Sequence, residues 1–308
     1  MKIAFLYAGQ GSQCAGMGKD LYESEELFRN VIDRADPGFD LKQMMFEANL
    51  ETLSETRHTQ PALAAFAAGV TDILFANGIR PSYVAGLSLG EYSALYAAGV
   101  LDADTLIRLT AFRGRKMQEA ADATDGVMSA IMGLSAEQVE KVCKEAKSEG
   151  VVEVANYNTA VQTVIGGERK AVERAEVLAK EAGAKRCIRL KVSSAFHTSF
   201  MDPVSEALQM YFRKVIFRPM QIPVIFNTLA TPLPEGEEIG SILIRQVRSG
   251  VRMKQTIEYL EAQGVDTIIE IGPGKALSGF VKKTASGIKT YAIEDEKSLQ
   301  TVLSELKG

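Results

Sequence analysis

Ser88 stands at the centre of the pentapeptide Gly86-Leu87-Ser88-Leu89-Gly90. A serine with glycine two residues away on each side is the pattern of a nucleophile elbow, a strand turning sharply into a helix. The turn leaves no room for Cβ atoms at the flanking positions, which accounts for Gly86 and Gly90. Tyr83-Val84-Ala85 upstream is a short, apolar, β-prone run. Glu91 to Ala98 downstream reads as a helix closed by Gly99. Such a turn pushes the Ser88 hydroxyl outward, beside the positive end of a helix dipole. The chemistry in view is nucleophilic catalysis by serine.

A serine nucleophile needs a base, and histidine is the usual one. The chain has two. His58 lies in the polar stretch Thr56-Arg57-His58-Thr59-Gln60-Pro61 and reads as a surface residue ahead of a helix. His197 lies in Ser193-Ser194-Ala195-Phe196-His197-Thr198, after Ser88, the chain order of α/β-hydrolase sites. Elimination leaves His197 as the base. Asp102, Asp104, Asp122 and Asp125 fall between the two, but each has a capping role open to it. A backbone or amide carbonyl could orient the imidazole instead, giving a dyad, and residue types alone leave both arrangements open.

Arg113 is the other residue of interest. On the helix starting near Asp102, Leu106, Leu109, Thr110 and Met117 form one apolar stripe, and Arg113 falls on it. Arg108, Arg115 and Lys116 fall largely on the other face. A guanidinium turned inward is costly unless an anion meets it. Two partners are open: an internal glutamate, or a substrate carboxylate held bidentately.

The elements that must position these residues alternate strand and helix. Ile3–Tyr7 reads as a buried strand, followed by the loop Ala8-Gly9-Gln10-Gly11-Ser12-Gln13. A helix runs from Pro61 to Asn77 with Gly78 beyond it. Thr267–Ile271 is another buried strand, followed by Gly272-Pro273-Gly274-Lys275 and a helix. This alternation implies an α/β fold with a mainly parallel, covered sheet. The middle of the chain differs. Strands at 127–132, 151–157, 161–165 and 186–190, with helices at 136–147 (capped by Ser135) and 168–182, give the order β-α-β-β-α-β. The expected organisation is an α/β-hydrolase-like domain over 1–125 and 192–308, with a ferredoxin-like insertion over 126–191.

The 308 residues suffice for one large domain and a smaller one. A hydrophobic content of 46% and a charged content of 24% are those of an ordinary globular protein, and the net charge of −4 argues against general nucleic-acid binding. Cys14, Cys143 and Cys187 are scattered, which suggests neither a disulfide framework nor a metal site. With no membrane span or leader read in the sequence, the expectation is a cytoplasmic monomer. Neither glycine-rich loop matches a nucleotide motif: the first lacks dinucleotide spacing at Cys14, and the second lacks the phosphate-loop spacing. The first follows the opening strand, where it could supply a backbone N–H to an oxyanion.

Together these residues resemble the FabD-type malonyl-CoA:acyl carrier protein transacylase family of fatty acid synthesis. The resemblance runs nearly end to end. It is carried by Gly9-Gln10-Gly11-Ser12-Gln13, Thr59-Gln60-Pro61-Ala62-Leu63, Ser88-Leu89-Gly90-Glu91-Tyr92, Arg113-Gly114 with Met117-Gln118, Ala195-Phe196-His197, Arg245-Gln246 and Glu270-Ile271-Gly272-Pro273-Gly274-Lys275. It implies a Ser–His dyad of Ser88 and His197, with the backbone carbonyl of Gln246 orienting the imidazole. It implies an oxyanion hole from the N–H groups of Gln10 and Leu89, and Arg113 as the clamp for a malonyl carboxylate. It implies no resident cofactor: malonyl-CoA is substrate, and an acyl carrier protein brings the acceptor thiol on phosphopantetheine. A polyketide carrier, a methylmalonyl substrate and hydrolysis by a serine thioesterase or esterase fit the same residues. Two departures from the family pattern are Leu87, where a histidine is usual, and Gly250-Val251-Arg252-Met253 in place of Pro-Val-x-Trp. Two basic clusters, Lys185/Arg186/Arg189/Lys191 and Arg245/Arg248/Arg252/Lys254, are candidate contacts for an acidic carrier.

Overall fold

The computed structural model describes residues 1–192 and 194–306; Ser193, Lys307 and Gly308 lie outside the described residues. Its nine strands among these residues are β1 (Ile3–Tyr7), β2 (Tyr83–Gly86), β3 (Gly126–Met132), β4 (Val152–Thr159), β5 (Gln162–Glu168), β6 (Arg186–Arg189), β7 (Val224–Ile225), β8 (Thr267–Ile271) and β9 (Lys289–Ile293). Five of them form a parallel sheet in the order β7-β2-β1-β8-β9. The other four form an antiparallel sheet in the order β4-β5-β3-β6.

β1 is apolar at every position because both faces of the parallel sheet are covered. Ile3, Phe5 and Tyr7 point into one core, which includes the buried residues of helix Thr56–Ala76. Ala4 and Leu6 point into the opposite core, beneath helices Met253–Ala262 and Ala276–Thr284. The antiparallel sheet has a third core of its own, built from residues such as Ile131, Val139, Ile165 and Val172. Its edge strand β4 meets the other part of the chain through Tyr157 N–H to Val251 O at 2.8 Å and Val251 N–H to Ala155 O at 2.9 Å. A Cβ on Gly250 would come within 2.9 Å of the Val154 carbonyl oxygen. The departure at Gly250-Val251 therefore lies at this seam.

Helix Thr56–Ala76 starts five residues ahead of the predicted position, and Pro61 is inside it. In the second turn the proline forfeits one bond, to the Arg57 carbonyl, and burial of Thr56, Thr59 and Gln60 holds the extra turn in place. His58 is thus within the helix rather than ahead of it. Its Nδ1 lies 2.9 Å from Thr52 O, and its ring meets Phe39 edge-on. By length and composition the same helix could cross a membrane, but 83% of its most apolar window is buried inside the protein. The three cysteines are unpaired.

Candidate active site

The carboxyl ends of β1, β2 and β8 lie side by side, with Tyr7 opposite both Gly86 and Ile271. Loops beyond the carboxyl ends of parallel strands are where such sheets bind ligands. Here those loops carry Gly9-Gln10, Leu87-Ser88 and Gly272-Pro273. The elbow is as tight as its sequence implies. A Cβ on Gly86 would lie 2.1 Å from the Gly90 carbonyl carbon, and one on Gly90 2.1 Å from the Tyr7 carbonyl oxygen.

Ser88 adopts φ 54° and ψ −100°, and His197 adopts φ 60°. Among the described residues, only Ala230 joins them as a non-glycine with positive φ. Such backbones cost about 1–3 kcal/mol each and persist only where surroundings over-determine them. Around His197, Thr198 Oγ1 donates to Ala195 O at 2.6 Å, and Ser199 N–H donates to Glu153 Oε2 at 2.7 Å. The segment is pinned from β4.

The two strained residues meet. Ser88 Oγ lies 2.6 Å from His197 Nε2, and His197 Nδ1 lies 2.9 Å from the backbone oxygen of Gln246. Gln246 ends helix Ile239–Gln246, so its carbonyl belongs to the negative end of a helix dipole. That carbonyl lies where a triad would put an acid. The aspartates are occupied elsewhere: Asp102 caps its helix through Thr105 N–H at 2.8 Å, and Asp125 pairs with Arg169.

Arg113 is completely buried. One Nη donates to Gln60 Oε1 at 2.8 Å; the other lies 3.2 Å from Ser88 Oγ and 3.2 Å from Gln246 Oε1. Its guanidinium also rests over the Tyr92 ring at 5.1 Å. Among the described residues no carboxylate forms an ion pair with it. Glu91, also fully buried, is pushed up to about 8 by desolvation, and its Oε2 accepts from Asn227 N–H instead. The internal-glutamate alternative for Arg113 is therefore not realised.

Gln246 ties the constellation together. Its backbone oxygen holds His197, its Oε1 accepts from Arg113, and its Nε2 donates to Ser88 O at 2.7 Å. Gln10 and Leu87 line a cavity of about 160 Å³ with Ser88 and His197, closed from the second sheet by Met128, Asn158 and Val164. Leu89 opens helix Leu89–Ala97, so its N–H is one of the donors without an intrahelical acceptor. The arrangement can activate a hydroxyl, stabilise a developing oxyanion and receive an anionic group one guanidinium away.

Burial, reinforced by the Arg113 charge, lowers His197 from 6.5 to about 4. The imidazole is therefore neutral, and able to accept a proton, well below pH 6.5. Serine acylation is expected to change less than about twofold between pH 8 and pH 5.5, with its acid limb nearer pH 4. Stopped-flow rates across that range test this, and a half-drop centred at 6.5 contradicts it. Stability follows the same group. Between pH 4 and 6.5 the unfolded chain binds the proton and the folded one does not, so the contribution of His197 is full above pH 6.5 and lost as pH falls.

Comparison with known proteins fits this geometry. The profile of an acyl transferase domain matches residues 4–304. The chain belongs to the acyl transferase family. It is 43% identical to the malonyl CoA-acyl carrier protein transacylase of Bacillus subtilis, covering 99% of this chain and 98% of that one. The crystal structure of MCAT from Streptococcus pneumoniae shares 44% identity at a TM-score of 0.93, covering 99% and 100% of the two chains. A malonyl-transacylase in complex with a type II PKS acyl-carrier protein shares 38% identity at a TM-score of 0.95, again over 99% and 100%.

In this acyltransferase the structure brings Ser88, His197, Arg113 and Gln246 together, and Gln10 and Leu89 flank them. Sequence reasoning assigned no role to Gln60, Glu91, Tyr92 or Asn227. Gln60, Glu91 and Tyr92 were signalled only as members of the motifs that carry the resemblance. Among the described residues no cluster of three or more His, Cys, Asp or Glu side chains is placed to hold a metal ion.

Proposed function

We propose that this acyltransferase moves the malonyl group of malonyl-CoA to the phosphopantetheine thiol of acyl carrier protein through a malonyl-Ser88 intermediate, supplying fatty acid synthesis. The observation that carries the reading is the buried, carboxylate-free Arg113 one hydrogen bond from Ser88 Oγ. His197 Nε2 takes the Ser88 proton as Oγ attacks the thioester carbonyl. The oxyanion meets the N–H groups of Gln10 and Leu89, donors of a kind worth about 3 kcal/mol each. The C–S bond then breaks, and CoA leaves with the proton from His197. The carrier thiol gives its own proton to His197 and attacks the Ser88 ester; the acyl C–Oγ bond breaks, His197 returns the proton to Ser88 Oγ, and malonyl departs on the carrier sulfur. Arg113 holds the malonyl carboxylate in both halves. Residues 1–125 and 192–308 form the catalytic domain, and 126–191 a ferredoxin-like insertion. The separate third core and the order β4-β5-β3-β6 support this division.

The carrier docks by Lys185, Arg186 and Lys191. These three are exposed and carry no ion pair among the described residues, whereas Arg189 is held by Glu176. In the second cluster Arg245, Arg248 and Lys254 are paired with Glu237, Asp202 and Glu258. Incubation with malonyl-CoA and holo carrier is expected to yield malonyl-carrier; free malonate as the main product would mean a hydrolase. In the same assay Lys185→Glu with Arg186→Glu is expected to raise the carrier's KM about tenfold and leave acylation of Ser88 in place. An unchanged KM would move the docking surface elsewhere.

A further inference from the structure

The peptide groups beside the nucleophile are held by a side chain to which the proposed chemistry gives no part. β7 pairs with β2 through Val224 opposite Val84 and Ile225 opposite Ala85, and there the pairing ends. β2 then swings into the elbow, which takes the Gly86 carbonyl and the Ser88 N–H out of that ladder. Asn227, two residues beyond β7, reaches both. Its Nδ2 donates to Gly86 O at 2.6 Å, and its Oδ1 accepts from Ser88 N–H at 2.7 Å. A carboxamide supplies a donor and an acceptor side by side without charge, as a strand backbone would.

Asn227 is itself fully buried and held at both of its peptide groups. Its N–H donates to Glu91 Oε2 at 2.5 Å, and its carbonyl accepts from Arg252 N–H at 2.9 Å. Glu91 lies one turn beyond Ser88 on the helix that the elbow opens, and its own N–H donates to Ser88 O at 3.1 Å. Ser88, Asn227 and Glu91 thus close a ring of contacts around a backbone with positive φ.

We propose that Asn227, seated by Glu91, is a positioning residue that holds the Ser88 peptide in its strained conformation and so aims the hydroxyl at His197. This rests on the reading of Ser88 as nucleophile and adds the residues that set its direction. Asn227 touches neither substrate nor reacting atom, so its removal acts on the rate of attack rather than on substrate binding.

The test uses two reactions of Ser88 in the full chain: malonylation by malonyl-CoA, and labelling by a small fluorophosphonate that needs neither Arg113 nor a carrier. Asn227→Ala is expected to slow both by about 100-fold, the scale of a small misplacement of a reacting group, with half-saturation by malonyl-CoA changed less than about threefold. Asn227→Asp keeps the acceptor for Ser88 N–H and loses the donor to Gly86 O. It is expected to slow both by about tenfold, and it serves as the deciding variant if the alanine variant does not fold. Glu91→Ala is expected to fall about tenfold, while Glu91→Gln, which retains an acceptor for the Asn227 N–H, recovers at least about a third of the rate. Wild-type rates in the Asn227 variants, or a loss confined to half-saturation, overturn the proposal. Slow labelling of the variants together with no malonyl adduct on the wild type upholds the positioning role and removes the malonyl reading.

Discussion

Mixed with malonyl-CoA, the wild-type chain is expected to gain the mass of one malonyl group, and Ser88→Ala to gain none. The adduct should vanish on addition of holo carrier protein. The size of the effect follows from how the dyad works. Ser88 Oγ and His197 Nε2 are 2.6 Å apart and share one proton, so removing either removes the same step. By the behaviour of serine sites whose members act as a unit, Ser88→Ala and His197→Ala should each lower kcat by about 10⁶-fold, and the double variant should be little worse than either. Losses that multiply instead of saturating would mean that Ser88 and His197 serve separate steps. An adduct persisting in Ser88→Ala would place the nucleophile elsewhere. Intact-protein mass and single-turnover release of CoA distinguish these outcomes.

The parallel strands were legible because their physics is local. A strand covered on both faces must be largely apolar: Ile3–Tyr7 is wholly so, Thr267–Ile271 carries three isoleucines beside Thr267 and Glu270, and both end at glycine-rich turns. The elbow was legible for a steric reason, since only glycine fits at 86 and 90. β7 and β9 were not: two residues carry no period, and Lys289–Ile293, at the edge and only partly covered, mixes Lys, Thr and Tyr with two apolar residues. The helix start at Thr56 was missed because the proline rule outweighed burial that no local window reveals. In the site, Arg113 showed itself by breaking an apolar stripe, and His197 by elimination. Gln246 could not be found that way. Every residue has a backbone carbonyl, and that one meets the imidazole only because helix Ile239–Gln246 ends there; the resemblance, not the spacing, named it. Asn227 lies 139 residues from Ser88, and a contact at that separation leaves no pattern in the sequence.

Arg113→Ala is expected to turn a malonyl-selective enzyme into one that no longer prefers malonyl over acetyl. The guanidinium is wholly desolvated, yet its neighbours are Gln60 Oε1, Gln246 Oε1 and the face of Tyr92, none of which carries a net charge. Desolvation lowers its pKa, but an arginine side chain remains protonated in proteins. The positive charge is therefore left for the substrate to neutralise, and a carboxylate can do so through two parallel hydrogen bonds. Truncating the arginine strands that carboxylate in a half-closed cavity, at a cost of about 2–5 kcal/mol, or roughly 30- to 5,000-fold in kcat/KM for malonyl-CoA. Acetyl-CoA has no carboxylate to strand and should lose little. Arg113→Lys keeps a charge but not the planar fork, and should fall between. Competing the two thioesters for Ser88 and weighing the adducts gives the ratio directly. Equal losses for both acyl groups would mean that Arg113 serves the hydroxyl it touches at 3.2 Å rather than the substrate's far end.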